Sequence, residues 1–169
     1  PRNNWDYGAE VGLRNLTERK IVILKGDTYS VAPEQELEDL REFVLDLDDA
    51  LAVHSVESLN QAMMAPLEYD RGAGTIMVHL GRTHQPGERI NVSVAYGGAP
   101  RVAPNPPWDG GLTWSTTGDG QPWVGVSCQI NGADLWWPTK DHPSDEPDSM
   151  RVTLEVPGNL RAIANGRWE

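Results

Sequence analysis

Apolar and polar residues alternate with a period of two along most of this chain, and this alternation limits the possible folds more than any other feature. A period of two places successive side chains on opposite faces of a β-strand. It recurs in short segments at residues 21–23, 29–31, 43–47, 51–56, 75–80, 89–96, 112–115, 123–127, 150–156 and 160–164. Turn-forming Gly, Pro, Asn and Asp residues separate these segments at intervals of about ten residues, which is typical of sandwiches. The pattern predicts an all-β, antiparallel β-sandwich.

Two segments depart from this alternation. Residues 34–42 are rich in good helix formers, with Leu37 and Leu40 three positions apart. We interpret them as a loop that leads into a strand. Residues 99–111 contain four prolines, which cannot donate backbone hydrogen bonds. They are predicted to form an ordered loop that crosses the surface.

Length and charge limit the organisation of the chain and its partners. A length of 169 residues suits one domain, so we expect residues 1–169 to form a single β-sandwich domain. The 25 acidic residues outnumber the 14 basic ones, and the net charge of -11 disfavours nucleic acid and anionic lipid as partners. No apolar run reaches the roughly 20 residues of a membrane span. We therefore expect neither nucleic acid nor a membrane as a partner.

A near match to a hydrolase motif is the first candidate for chemistry. Residues 125–129 read Gly-Val-Ser-Cys-Gln and approach the nucleophile elbow G-x-S-x-G, but Gln129 replaces the second Gly and no helical pattern follows. Cys128 is the only cysteine, which excludes an internal disulfide and a Cys-rich zinc site. The sequence therefore predicts no nucleophilic enzyme.

An acidic loop is the second candidate. Residues 139–149 hold four carboxylates and His142. A zinc motif of the H-E-x-x-H type needs a helix, and Pro143 and Pro147 prevent one here. We interpret the segment as a tight loop whose Asp and Ser side chains cap its own backbone. No metal site is predicted in this chain.

Tryptophans are concentrated in one part of the sequence. Five of the seven lie between residues 108 and 137. Tryptophan fills cores where loops cross a sandwich, and it also forms stacking platforms for sugars or partners. Both interpretations remain open from the residues alone.

Three motifs together resemble the N-terminal domain of the zinc aminopeptidases that include aminopeptidase N and leukotriene hydrolase. They are residues 107–111 (PWDGG), 117–120 (TGDG) and 126–147 (VSCQINGADLWWPTKDHPSDEP). The resemblance extends from about residue 43 to the end of the chain and implies a saddle-shaped β-sandwich packed beside a zinc-containing catalytic domain. Relatives continue with further strands after a turn that matches Asn165-Gly166, so we expect the sandwich to lack its last strands.

The same resemblance implies roles for particular residues. Gln129 lies nine residues before Pro138, where the family projects a Gln or Glu into the active cleft, and Gln129 and Asn131 are expected to bind the peptide substrate's N-terminus. The expected structural motif comprises Trp136, Trp137, Pro138, Asp141 and Pro143. No His is followed by Glu and no Met by Glu-Asn, so H-E-x-x-H and G-x-M-E-N are absent. Catalytic residues and bound metal are therefore expected only in the parent enzyme's catalytic domain, which would carry the zinc.

Two functions follow as hypotheses. The first is a non-catalytic domain of a zinc aminopeptidase, with the catalytic domain and the substrate N-terminus as partners. The alternative is a free-standing β-sandwich binding module with a Trp-rich ligand surface. We also expect this chain to self-associate through an unpaired sheet edge or an exposed apolar face.

Overall fold

The computed structural model describes residues 6–12, 21–24, 27–30, 40–60, 63–85, 88–140, 149–156, 158 and 160–167. Within these ranges the regular structure is almost entirely β. The strands are β1 (Asp6–Gly12), β2 (Ile21–Leu24), β3 (Asp27–Ser30), β4 (Leu40–Asp46), β5 (Leu51–Asn60), β6 (Met63–Pro66), β7 (Glu68–Gly72), β8 (Thr75–His84), β9 (Arg89–Gly98), β10 (Gly111–Thr116), β11 (Pro122–Ser127) and β12 (Ser149–Glu155). The described residues add one 3₁₀ turn, Ala133–Leu135. The all-β prediction is confirmed.

The strands form two sheets and a separate hairpin. The larger sheet has the order β12-β1-β2-β9-β5-β6, and β3 pairs with β1 and β9. The smaller sheet has the order β4-β8-β7, while β10 and β11 pair only with each other among the described strands. The pairings are antiparallel except for that of β1 with β12, which is parallel. The connection that a parallel pair requires is supplied by the rest of the domain, because residues 13–148 separate β1 from β12.

One apolar core joins the two sheets. The inward side chains of β8 alternate with outward ones, as the period-two pattern predicted. Core residues from both sheets are at most 2% exposed: Leu45, Ile76, Val78, Val92, Val94 and Tyr96. Because these residues form a single cluster, the two sheets are the layers of one sandwich.

Some elements differ from the sequence prediction. Residues 160–164, predicted as a strand, have no regular structure, because alternation alone does not form a strand without a partner to pair with. Strand β7 was not predicted, since it is mostly polar and exposed. The four-residue strand β6 was not predicted either. Of the loop predicted at residues 34–42, residues 34–39 lie outside the described residues. Residues 40–42 belong to strand β4, which begins at Leu40, so the loop prediction is wrong there. No helix in the described part of the chain is long and apolar enough to cross a membrane.

Candidate functional site

The turn that follows β11 carries Gln129. Strand β11 ends at Ser127, and the Gly132 N–H donates to the Cys128 carbonyl oxygen at 2.8 Å, which closes the turn. Gly132 has a φ of 98°, a conformation that glycine adopts readily. The Gln129 side chain is exposed, so it lies at the surface on a turn closed by a backbone hydrogen bond.

Asn131 connects this turn to a neighbouring loop. Its Oδ1 accepts a hydrogen bond from the Gly110 N–H at 2.7 Å. A Cβ on Gly110 would lie 2.2 Å from the Ser127 carbonyl oxygen and 2.9 Å from Asn131 Oδ1. Glycine is therefore required here, because the loop backbone approaches the end of β11 directly.

The loop formed by residues 99–110 makes contacts within itself. Asp109 forms an ion pair with Arg101, and the Asp109 N–H donates to the Asn105 carbonyl at 2.8 Å. The loop also pairs with the start of β10, because Leu112 donates to the Arg101 carbonyl at 2.8 Å and accepts from the Ala103 N–H at 2.9 Å. Both ends of the loop are thus attached to the hairpin.

Four large apolar side chains around this junction are exposed, and we call them the apolar collar. They are Val102, Trp108, Val126 and Ile130, with exposed fractions of 51%, 66%, 39% and 66%. Val102 and Val126 both pair with Leu112, while Trp108 and Ile130 lie close in sequence to the two partners of the Gly110–Asn131 hydrogen bond. The collar residues therefore lie on the segments that meet at the turn carrying Gln129.

The segment after this turn is anchored to the core. The N–H groups of Trp136 and Trp137 both donate to the Ala133 carbonyl at 3.1 Å. The hydroxyl of Tyr96, a buried residue of β9, donates to the Trp136 carbonyl at 3.0 Å. Both indoles pack against the core cluster, with ring centroids 4.2 Å apart. Trp136 and Trp137 are thus part of the sandwich packing.

The end of the same segment is attached to β4. Asp46 and Thr139 exchange two backbone hydrogen bonds of 2.6 and 3.0 Å, and Pro138 beside them is buried. The Asp48 N–H donates to the Asp134 carbonyl at 2.9 Å. These contacts hold residues 134–139 against the smaller sheet. Asp141 and Pro143 and most of the acidic loop lie outside the described residues.

Some of the tryptophans fill the core and others are exposed, as a stacking platform would require. Trp114 packs against the core, as Trp136 and Trp137 do. Trp108 and Trp123 are exposed, and the Trp123 ring lies over Gly125, where a Cβ would come within 2.5 Å of the indole. The Trp136 Nε1 atom is buried and has no hydrogen-bond partner among the described residues.

A histidine with two carboxylate partners was not found from the sequence. His79 lies on the outer face of the smaller sheet, with Nε2 at 2.9 Å from Asp70 Oδ2 and Nδ1 at 3.3 Å from Glu42 Oε2. Its hydrogen bond with Asp70, together with the charges of Asp70 and Glu42, raises the pKa of His79. Asp70 and His79 lie nine residues apart on the β7–β8 hairpin, and Glu42 comes from β4, so the pairing of these three strands brings the groups together.

Other charged groups belong to turns. Arg82 donates to Glu88 Oε2 at 2.8 Å and lowers the pKa of Glu88. The Thr117 hydroxyl likewise lowers the pKa of Asp119 in the β10–β11 turn. Within the described ranges, no group of three or more His, Cys, Asp or Glu side chains is arranged to hold a metal ion. The described residues therefore do not fit a zinc site.

Comparisons with solved structures show what this fold is similar to. An M1 zinc metallopeptidase from Deinococcus radiodurans matches 98% of this chain at 23% identity with a TM-score of 0.70. A mutant of that peptidase bound to a Tyr-Ser-Ala substrate matches 99% at 22% identity with a TM-score of 0.69. Native LTA4 hydrolase from yeast matches 91% at 16% identity with a TM-score of 0.64. No protein-family model matches the sequence, and no curated protein matches it.

The similarity confirms at the level of the fold the resemblance that the motifs indicated. The chain corresponds to 35% of the length of the Deinococcus protein and 23% of the yeast protein. It therefore has the fold of a part of these peptidases, and it spans about a third or less of their length.

Proposed function

We propose that this chain is the non-catalytic N-terminal domain of a zinc-dependent aminopeptidase. In this role it packs on the catalytic domain and contributes Gln129 to recognition of the substrate's free α-amine. The observation that carries the proposal is the position of Gln129, an exposed amide on a turn whose neighbouring segments carry exposed apolar side chains.

The apolar collar supports docking of another protein surface at this end of the domain. Large exposed apolar patches on soluble domains mark interaction sites, and aromatic residues are enriched in the cores of such interfaces. The collar is presented by segments with hydrogen-bonded backbones, so little ordering is needed on binding. A catalytic domain that covers the collar would enclose Gln129 at the edge of its cleft.

Gln129 has the chemistry that recognition of an amine requires. Its side-chain carbonyl oxygen can accept a hydrogen bond from the substrate's α-ammonium group, and its N–H₂ group can donate to a carbonyl oxygen. A hydrogen bond to a charged group is stronger than one between neutral groups. Peptide hydrolysis itself belongs to the catalytic domain, because the H-E-x-x-H motif is absent from this sequence.

The decisive experiment replaces Gln129 in the full-length enzyme. Gln129→Ala should lower kcat/KM by an amount that corresponds to about 1–3 kcal/mol of lost transition-state stabilisation. This is the scale for leaving a buried polar partner without its hydrogen bond. Zinc content and Tm should stay as in the wild type. Gln121→Ala is the matched control, because Gln121 is also an exposed Gln and lies at the β10–β11 turn.

Two outcomes would contradict this role of Gln129. Wild-type kcat/KM on several aminoacyl substrates would show that the proposed contact does not exist. Loss of zinc or a large fall in Tm would assign Gln129 a structural role instead.

The isolated chain provides a separate test. It should neither cleave aminoacyl reporter substrates nor bind catalytic zinc, because H-E-x-x-H is absent from its sequence. Stoichiometric zinc together with turnover that survives repurification would refute the non-catalytic assignment.

The alternative function is a free-standing binding module, and the exposure of Trp108 and Trp123 favours it. An exposed indole can stack against the apolar face of a sugar ring. Titration with sugars should then change tryptophan fluorescence, and Trp123→Ala should abolish that change. An H-E-x-x-H motif encoded downstream in the same gene would favour the aminopeptidase instead.

A further inference from the structure

Asn131 is predicted to contact substrate, and its side-chain oxygen Oδ1 makes a hydrogen bond within the domain. We infer that Asn131 is a positioning residue that latches the 99–110 loop to the turn carrying Gln129. The latch is the hydrogen bond of 2.7 Å from the Gly110 N–H to Asn131 Oδ1. It holds Gln129 and the apolar collar in one arrangement.

The identity of the donor determines which atom of the Asn131 amide faces Gly110. A backbone N–H can only donate, so the side-chain atom that meets it is the carbonyl oxygen. Gly110 is buried and Asn131 is partly buried, so without this bond the Gly110 N–H would be shielded from water. A buried donor without an acceptor destabilises the local structure, and this makes the bond a fixed feature of the junction.

The close approach of the two segments explains why they are joined by a side chain. Gly110 lies so near the end of β11 that any Cβ would collide with the Ser127 carbonyl oxygen, at 2.2 Å. The prolines of the loop cannot donate backbone hydrogen bonds. Asn131 supplies an acceptor at the point of closest approach, where regular strand pairing with the loop has ended.

The latch couples the two halves of the apolar collar. Trp108 lies on the loop side, two residues before Gly110, and Ile130 lies on the turn side, next to Asn131 and Gln129. Loss of the bond would allow the turn and the loop to separate, which would misplace the Gln129 amide. This catalytic consequence rests on the proposed function, whereas the latch itself does not.

The first experiment measures amide hydrogen exchange at Gly110 by NMR in the 169-residue chain. Asn131→Ala should accelerate exchange about tenfold, on the scale of one lost hydrogen bond. Asn131→Asp should stay within about threefold of wild type, because its carboxylate oxygen can accept the same bond. Asn105→Ala is the control, since Asn105 is an exposed Asn of the same loop.

Global unfolding is separated from loss of the latch by a second amide and a second variant. Exchange at Val78, in the core strand β8, should be unchanged in every variant that folds. If Asn131→Ala does not fold, Asn131→Gln takes its place, because it keeps the amide but moves the oxygen by one methylene. It should also accelerate Gly110 exchange.

The second experiment measures kcat/KM in the full-length enzyme. Asn131→Ala should lower kcat/KM about fivefold to tenfold, the range for loss of one hydrogen bond, and Asn131→Asp should restore it. A direct contact from the Asn131 N–H₂ group to substrate would not be restored, because a carboxylate has no N–H.

The outcomes separate the latch from the proposed function. Unchanged Gly110 exchange in Asn131→Ala overturns the latch. An Asn131→Asp enzyme as impaired as the Ala variant overturns the inference that the latch positions Gln129 for catalysis. Wild-type kcat/KM in Gln129→Ala refutes the proposed function. The Gly110 exchange rates are measured without substrate, so they still test whether the latch exists.

Discussion

Two regions of the domain contain the same kinds of apolar side chain in opposite surroundings. In the sandwich core, Ile76 is 0% exposed between the two sheets, whereas Ile130 in the apolar collar is 66% exposed beside Gln129. Both regions have hydrogen-bonded backbones. They differ in whether the chain itself supplies the layer that covers the side chains.

This difference separates residues that stabilise the fold from residues that are available to a partner. Burial of a large aliphatic side chain contributes about 1.5–3 kcal/mol, so the core residues account for much of the driving force for folding. The collar residues gain little from folding because they remain in water. Their apolar surface becomes useful only when a second surface covers it.

The sharpest test of the comparison replaces the same residue type in both regions. Ile76→Ala should lower the free energy of unfolding by about 3 kcal/mol, because it leaves a cavity in a closely packed core. Ile130→Ala should change it by less than about 0.5 kcal/mol. Urea denaturation of the two variants measures the difference, and similar losses would show that the collar is part of the folding core.

A smaller effect is expected where the core contacts the segment that follows the Gln129 turn. Tyr96→Phe removes the hydroxyl that donates to the Trp136 carbonyl at 3.0 Å, and it should lower stability by about 1–2 kcal/mol. Tyr69→Phe is the matched control, because the Tyr69 hydroxyl makes only a 3.4 Å contact with the Val53 carbonyl. Equal thermal denaturation of the two variants would contradict the view that Tyr96 anchors this segment.

Self-association should depend on the collar and leave the core unaffected. The isolated chain is expected to associate through the collar or through β12, which lies at an end of the larger sheet among the described strands. The double change Trp108→Ser and Ile130→Ser should weaken association about tenfold, or about 1.4 kcal/mol, without a change in Tm. Light scattering across a concentration series measures this, and a strictly monomeric wild-type chain would refute the expectation.

The smallest effect concerns the outer face of β8, on the other side from Ile76. The folded-state pKa of His79 is raised above its usual value of 6.5, so the His79 contribution to stability is present below that value. It is lost as the pH rises through the raised folded pKa. His79→Gln should therefore reduce the stability difference between acidic and alkaline solution, whereas His54→Gln should not. Identical pH profiles of Tm for the wild type and His79→Gln would contradict the effect.

Much of the fold could be predicted from local pattern because burial in a sandwich has the period of the strand itself. Residues 75–80 and 89–96 alternate except at Met77 and Ala95, and every second residue of each segment, from Ile76 and from Ile90, is buried. The same reasoning failed at residues 160–164, where alternation occurs without a strand. It also missed β7, whose polar residues pair with β8.

The sequence by itself determined the fold class and the resemblance to zinc aminopeptidases, because strand periodicity and motifs are local properties. Only the tertiary structure determined which residues and strands come into contact. It set the parallel register of β12 against β1, the carboxylates around His79 and the use of Asn131 Oδ1 by Gly110. These contacts join separate strands and loops, and their geometry depends on which strands become neighbours, which the alternation within a single strand does not specify.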